Sequence, residues 1–197
     1  FYDTTLRDGA QREGISYSVN DKLVVAGILD RLGVDFIEGG WPGAMPKDTE
    51  FFARAKTELP LRNALLVAFG ATRKAGVDVR KDPQVAALLA ADTPVITVVA
   101  KSDVRHVLRA LKTTLDENLA MVRDTVEYMV SEGRRVFVDC EHFFDGYKTD
   151  AEYAVAVVRT AHEAGAEAVV MCDTNGGMLP LGIARIVEAV RLAVPEA

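Results

Sequence analysis

Short runs of Val, Ile, Phe and Ala alternate along this chain with longer stretches whose apolar residues return at three- and four-residue spacing. The first pattern is that of buried strands and the second that of amphipathic helices, so the alternation predicts repeated βα units and a parallel sheet. Strands are expected at 1–3, 34–38, 64–69, 94–99, 135–140 and 168–172. Helices are expected at 20–32, 48–57, 82–91, 114–132, 150–164 and 181–193, the first capped by Asn20 and stopped by Gly33. No Ser/Gly linker or low-complexity segment interrupts the rhythm, which reads as one domain over 1–197.

A parallel sheet with intervening helices can be a doubly wound open sheet or a closed barrel, and periodicity alone does not separate the two. The placement of polar residues does. They gather after the first strand (Arg7, Asp8), at the end of the second (Glu38), and after the fourth (Lys101, Ser102), fifth (Glu141, His142) and sixth (Asp173, Thr174, Asn175). An open sheet concentrates its chemistry at one switch point, whereas a barrel collects it from the ends of many strands. The expected fold class is therefore α/β, an incomplete TIM (β/α)8 barrel of about six βα units, because 197 residues fall short of the ~250 of a full barrel.

Composition narrows the function. A formal charge of −6 without a dense Lys/Arg block argues against nucleic acid as a partner. No apolar run approaches the ~18 residues of a membrane span, so a cytoplasmic protein is expected. Only two cysteines occur, Cys140 and Cys172, both at strand ends and both expected to be buried free thiols in a reducing compartment. The chain opens without Met inside a strand and stops just after a helix, and it is expected to be part of a longer polypeptide.

The densest polar run is Asp3-Thr4-Thr5-Leu6-Arg7-Asp8-Gly9-Ala10-Gln11-Arg12, where the first strand gives way to its loop. A hard divalent cation wants carboxylate oxygen, and a fixed guanidinium beside it would stabilise an oxyanion forming on a chelated carbonyl. A capped turn with an ordinary Arg–Asp pair fits the same residues. Two further runs stand at strand ends: Asp139-Cys140-Glu141-His142-Phe143-Phe144-Asp145-Gly146-Tyr147-Lys148, and Cys172-Asp173-Thr174-Asn175-Gly176-Gly177-Met178-Leu179-Pro180. Taken without further context, Thr174 is a candidate helix N-cap, His106 an exposed helical residue, and Gly176-Gly177 a weak signal for an anion-binding turn.

The segment Thr4 to Gly9 resembles the TTLRDG signature of the DRE-TIM metallolyase superfamily, which includes the isopropylmalate, homocitrate and citramalate synthases and the hydroxymethylglutaryl-CoA lyases. The runs after the fifth and sixth strands, together with Glu38-Gly39-Gly40-Trp41-Pro42-Gly43, resemble the citramalate synthase branch in particular. The resemblance implies Asp8 as a ligand of a divalent metal (Mg, Mn or Zn), Arg7 as stabiliser of the enolate or alkoxide, and Glu38 as the residue that holds Arg7. It also implies that His106 and Thr174 contact a 2-oxo acid. Gln11 is a further substrate-binding candidate, and of the adjacent pair Glu141 and His142, either of which could act as an acid/base or support one, Glu141 is the preferred catalytic candidate while His142 reads as a structural residue.

The activity so implied is condensation of acetyl-CoA with a 2-oxo acid, pyruvate favoured, within isoleucine biosynthesis, by a protein that is a homodimer in its full-length form. Isopropylmalate or homocitrate synthesis, a lyase-type reaction and a non-catalytic barrel remnant are the alternatives. The family completes its metal site with a His-x-His pair on the seventh strand. The three histidines here, His106, His142 and His162, show no such arrangement. The 197-residue chain by itself is accordingly expected to be inactive and poorly stable.

Overall fold

A computed structural model describes residues 1–196. Six strands form one sheet in the order β1-β2-β3-β4-β5-β6: β1 (Tyr2–Asp3), β2 (Phe36–Gly40), β3 (Leu65–Ala71), β4 (Val95–Lys101), β5 (Arg135–Glu141) and β6 (Ala168–Met171). Pairing is parallel for β1 with β2, β2 with β3 and β5 with β6. A sheet whose spatial order follows the chain order has no switch point, which removes the doubly wound alternative and leaves the barrel-type βα succession.

The main helices are α1 (Val19–Leu32), α2 (Pro46–Glu58), α3 (Pro83–Ala90), α4 (Val104–His106), α5 (Leu115–Ser131), α6 (Phe143–Thr149), α7 (Ala151–Glu163) and α8 (Pro180–Ala193). Helix α1 begins earlier than expected, with its N-cap at Ser18, two residues before Asn20. The side chain of Ser18 accepts the N–H of Asp21, and the Asp21 carboxylate accepts the N–H of Ser18, a reciprocal capping box that Asn20 cannot make. Gly33 ends the helix in the left-handed region, as expected.

Strands β2 to β5 end one to two residues later than the hydrophobic pattern indicated, at Gly40, Ala71, Lys101 and Glu141. Helix α4, the π-helical turn Val107–Leu111 and helix α6 were not anticipated. Asp103 caps α4 through the N–H of Arg105, whereas neither the π-helical turn nor α6 has a side-chain cap. Cys140 is buried and burial raises its thiol pKa, whereas Cys172 is only half-buried, contrary to expectation, because the chain leaves β6 one residue before it.

The described residues form two compact units. The first comprises Phe1–Gly70 and Pro83–Thr97, and its core includes Leu6, Ile37, Phe51, Phe52, Val67 and Leu88. Two adjacent glycines of β2 shape that core. A Cβ on Gly39 would lie 2.6 Å from the Phe51 ring and one on Gly40 would lie 2.4 Å from the Asp48 carboxyl carbon, so only hydrogen at both positions admits these neighbours. The second unit comprises Ala71–Asp82 and the chain from Val98 onward, with Val122, Val126, Val136, Val138, Phe143 and Val157 among its buried residues. No described helix is long and apolar enough to cross a membrane.

Candidate active site

In the first unit the chain turns sharply after β1. The N–H groups of Arg7 and Gly9 both donate to the carbonyl of Thr4, at 3.1 and 2.9 Å, and buried Leu6 anchors the turn. Arg7 is thereby presented to Glu38 at the end of β2, and its Nε–H donates to Oε1 of that carboxylate. The phenol of Tyr2 donates to Oε2 at 2.5 Å and lies 2.7 Å from the Thr97 hydroxyl. The guanidinium carbon stacks 3.7 Å above the centroid of the Phe69 ring.

Glu38 has no solvent exposure and the Arg7 side chain keeps 16 %. Burial raises the Glu38 carboxyl above the usual carboxylate range, opposed by the Arg7 charge and by the bonds from Tyr2 and Arg7. A guanidinium gripped at Nε and supported by an aromatic face has lost most of its rotational freedom. Its remaining N–H groups are thus held ready for an oxyanion. Asp8, in contrast, is 64 % exposed and touches only Nη1 of Arg7, at 3.3 Å.

Arg7 and Gln11 line one cavity of about 230 Å³ together with Leu6, Trp41, Lys22 and Asp48. Lys22 is buried and ion-paired with Asp48, whose other oxygen accepts the Trp41 N–H at 2.8 Å. Burial lowers the Lys22 pKa and the Asp48 bond partly restores it.

In the second unit the ends of β4, β5 and β6 supply another polar group. Lys101 is ion-paired with Glu141, their side chains 25 % and 27 % exposed. Ser102 follows, and both its N–H and its hydroxyl donate to the carbonyl of Glu141, at 3.3 and 2.7 Å. Buried Asp103 caps α4, accepting the N–H of Arg105 at 2.8 Å, and the Arg105 guanidinium holds its pKa down. His106 closes that short helix, half-buried rather than exposed, with its ring edge-on to His142 at a centroid separation of 4.2 Å.

The N–H of His142 donates to the Thr174 hydroxyl at 2.8 Å. Thr174 is therefore not a helix cap; Leu179 occupies the N-cap position of α8, five residues on. The Gly176-Gly177 turn likewise offers no anion cradle, since the N–H groups of Gly177 and Met178 go to the Asp173 carboxylate at 3.3 and 3.0 Å. His162 lies half-buried within α7.

His106, Glu141 and His142 each place one potential metal-ligating atom within 4.8 Å of the others. Asp8 belongs to no such group among the described residues. Tyr2, Phe69, Thr97 and Lys22 were not singled out from the sequence. Each is an ordinary strand or helix residue by pattern, and only long-range packing gives it a partner in the site.

The chain belongs to the HMGL-like family, whose model matches residues 1–197. Among characterised relatives it is 65% identical over 189 residues to the (R)-citramalate synthase of Streptomyces coelicolor, covering 96% of this chain and 35% of that protein. It is 55% identical over 190 residues to the (R)-citramalate synthase of Synechocystis, again covering 96% of the chain and 35% of the relative. The chain thus spans about a third of the length of these proteins.

Among solved structures, the hydroxymethylglutaryl-CoA lyase of Pseudomonas aeruginosa superposes with a TM-score of 0.76 at 24% identity, over 98% of this chain and 64% of the lyase. The corresponding Bacillus subtilis enzyme gives a TM-score of 0.78 at 15% identity, over 96% of this chain and 62% of that enzyme. Both the superfamily resemblance and the expected fold class, an incomplete TIM barrel, are borne out.

Proposed function

We propose that the full-length protein condenses acetyl-CoA with a 2-oxo acid, pyruvate in the favoured case, to give citramalate and free CoA. The observation that carries this reading is the buried Arg7–Glu38 pair, set in a chain 65% identical to an (R)-citramalate synthase. The reaction joins the thioester methyl carbon to the ketone carbon, and water then cleaves the thioester. Negative charge develops on the former ketone oxygen as the carbon–carbon bond forms. A guanidinium pinned by Glu38 and stacked on Phe69 stabilises that charge without having to reorient.

A divalent metal fits one feature of the chain, the exposed and lightly engaged carboxylate of Asp8, which would supply one of its oxygen ligands. Bound there, such an ion would lend Lewis-acid polarisation to the acceptor's oxygens. Glu38 acts through Arg7 as a positioning residue, with Tyr2 completing the grip. Gln11, His106 and Thr174 contact the acceptor, and Glu141 serves as a polar catalytic group ion-paired with Lys101. The same reading proposes a cytoplasmic homodimer acting in isoleucine biosynthesis.

The test is release of CoA thiol from acetyl-CoA by the full-length protein with Mg²⁺ or Mn²⁺, across pyruvate, 2-oxoisovalerate and 2-oxoglutarate. Pyruvate-dependent release is the expected result. Preference for another acceptor moves the assignment to the isopropylmalate or homocitrate branch, and no release with any acceptor removes the condensing reading.

A further inference from the structure

On a continuing strand, consecutive side chains such as Glu141 and His142 would point to opposite faces of the sheet. His142 instead leaves β5 in the left-handed region at φ 56 and ψ 31, a conformation that glycine adopts freely and a residue with a Cβ does not. Such a turn persists only where its surroundings over-determine it. Here the backbone on both sides is tied down. Both donors of Ser102 hold the Glu141 carbonyl, the N–H of Phe143 goes to the Cys172 carbonyl at 3.1 Å, and the N–H of Gly146 closes on the His142 carbonyl at 2.8 Å. A Cβ on Gly146 would lie 2.4 Å from the Ser102 carbonyl oxygen, so the first turn of α6 is pressed against the residue that follows β4.

The turn bears on two side chains. At Thr174 the hydroxyl accepts the N–H of His142 at 2.8 Å, while its own O–H donates to no described residue. A hydroxyl whose lone pair is taken by a fixed backbone donor directs its proton away from that donor, and here that proton is left for the oxygen of a ligand. At His106 the ring meets the edge of the His142 ring, 4.2 Å between centroids. Nδ1 of His142 is buried and makes no hydrogen bond, so packing against its neighbours is what holds that side of the ring.

We infer that His142 is a positioning residue for the 2-oxo acid: its left-handed backbone orients the Thr174 hydroxyl, and its ring limits the rotation of His106. The inference rests on the reading of Thr174 and His106 as acceptor contacts, and it gives the two a common support. His142 acts through these side chains rather than on the acceptor itself. Donors aligned before a ligand arrives lose little freedom when it binds, so the effect falls on acceptor affinity. Acetyl-CoA and the metal placed at Asp8 are outside its reach.

The experiment measures the affinity of the full-length protein for pyruvate by calorimetry at saturating Mg²⁺, and the pyruvate KM by thiol release. Valine resists the left-handed turn, so His142→Val is expected to weaken pyruvate binding by about 10-fold or more, the scale of one hydrogen bond to a charged group. Thr174→Val is expected to do the same, and the double variant to be little worse than either, because both break one shared link. His142→Asn, whose side chain tolerates the turn, is expected to recover a large part of the loss. The acetyl-CoA KM and the Mg²⁺ dependence of the rate are expected to stay at the parent's values in every variant. Losses that multiply in the double variant, an Asn variant no better than the Val one, or acetyl-CoA and Mg²⁺ dependences that worsen alongside would each overturn the assignment, as would a parent that binds no pyruvate. Pyruvate binding without thiol release would remove the condensing reaction, and the same affinities would still decide the role of His142.

Discussion

Arg7–Glu38 in the first unit and Lys101–Glu141 in the second are the same device, a cation held on a carboxylate at a strand end, yet they are built to different ends. Glu38 is sealed from solvent, and both of its oxygens are taken by groups of the chain itself. Glu141 and Lys101 each keep about a quarter of their surface in water, and two imidazoles stand beside them, that of His142 with its buried Nδ1 unpaired. A closed network fixes one guanidinium in place. A half-open one keeps valences for a ligand, and the difference teaches that burial and saturation, more than residue type, divide positioning from binding.

That contrast can be broken most forcefully at Glu38 and Arg7. Glu38→Ala leaves the guanidinium half of a buried pair without its partner, and a loss of about 3–5 kcal/mol is expected in urea unfolding. Arg7→Ala should reduce acetyl-CoA turnover by about 10²–10³-fold, the scale of a deleted oxyanion donor, measured by thiol release. Asp48→Ala is the control within the same unit. It strands the buried Lys22 ammonium and opens the Trp41 N–H, so a loss of about 3 kcal/mol is expected without any role in the chemistry.

In the second unit, Gly146→Ala forces a methyl group against the Ser102 carbonyl and should cost about 1–3 kcal/mol, read from the thermal midpoint. Lys101→Met should change stability by less than about 1 kcal/mol, since a part-exposed pair contributes little. A Lys101→Met loss as large as that of Glu38→Ala would erase the distinction between the units.

The smallest effect is one of pH. Asp30 accepts the N–H groups of Arg62, Asn63 and Ala64, and these bonds hold its pKa below the ordinary 3.8. The folded state then binds fewer protons than the unfolded one, so the stability Asp30 contributes is complete above that ordinary value and drains away as pH falls through the lower folded one. Asp30→Asn should flatten the acid limb of stability below about pH 4. An unchanged limb would show that the bonds do not discriminate the charged form.

Much of the site was legible because its residues sit where the hydrophobic pattern stops. Arg7, Asp8, Glu38, Glu141 and Thr174 each follow or end a short apolar run, and a strand's end is where a parallel α/β sheet exposes side chains to a ligand. Tyr2 and Thr97 were not legible. A strand of two residues shows no alternation, and a threonine within an apolar run looks like any other β-branched strand residue. The contact of His106 with His142 was equally hidden, since 36 residues separate them and the left-handed turn at His142 has no glycine to announce it.

The amino-acid sequence alone determined the βα succession, the helix stops and the family, because periodicity, capping residues and contiguous motifs are local and survive in one dimension. Tertiary structure decided which carboxylate is buried, which cation it holds and which donor atoms remain unspent. Those properties arise from desolvation and from contacts between residues 31 to 95 positions apart, and no local pattern encodes them.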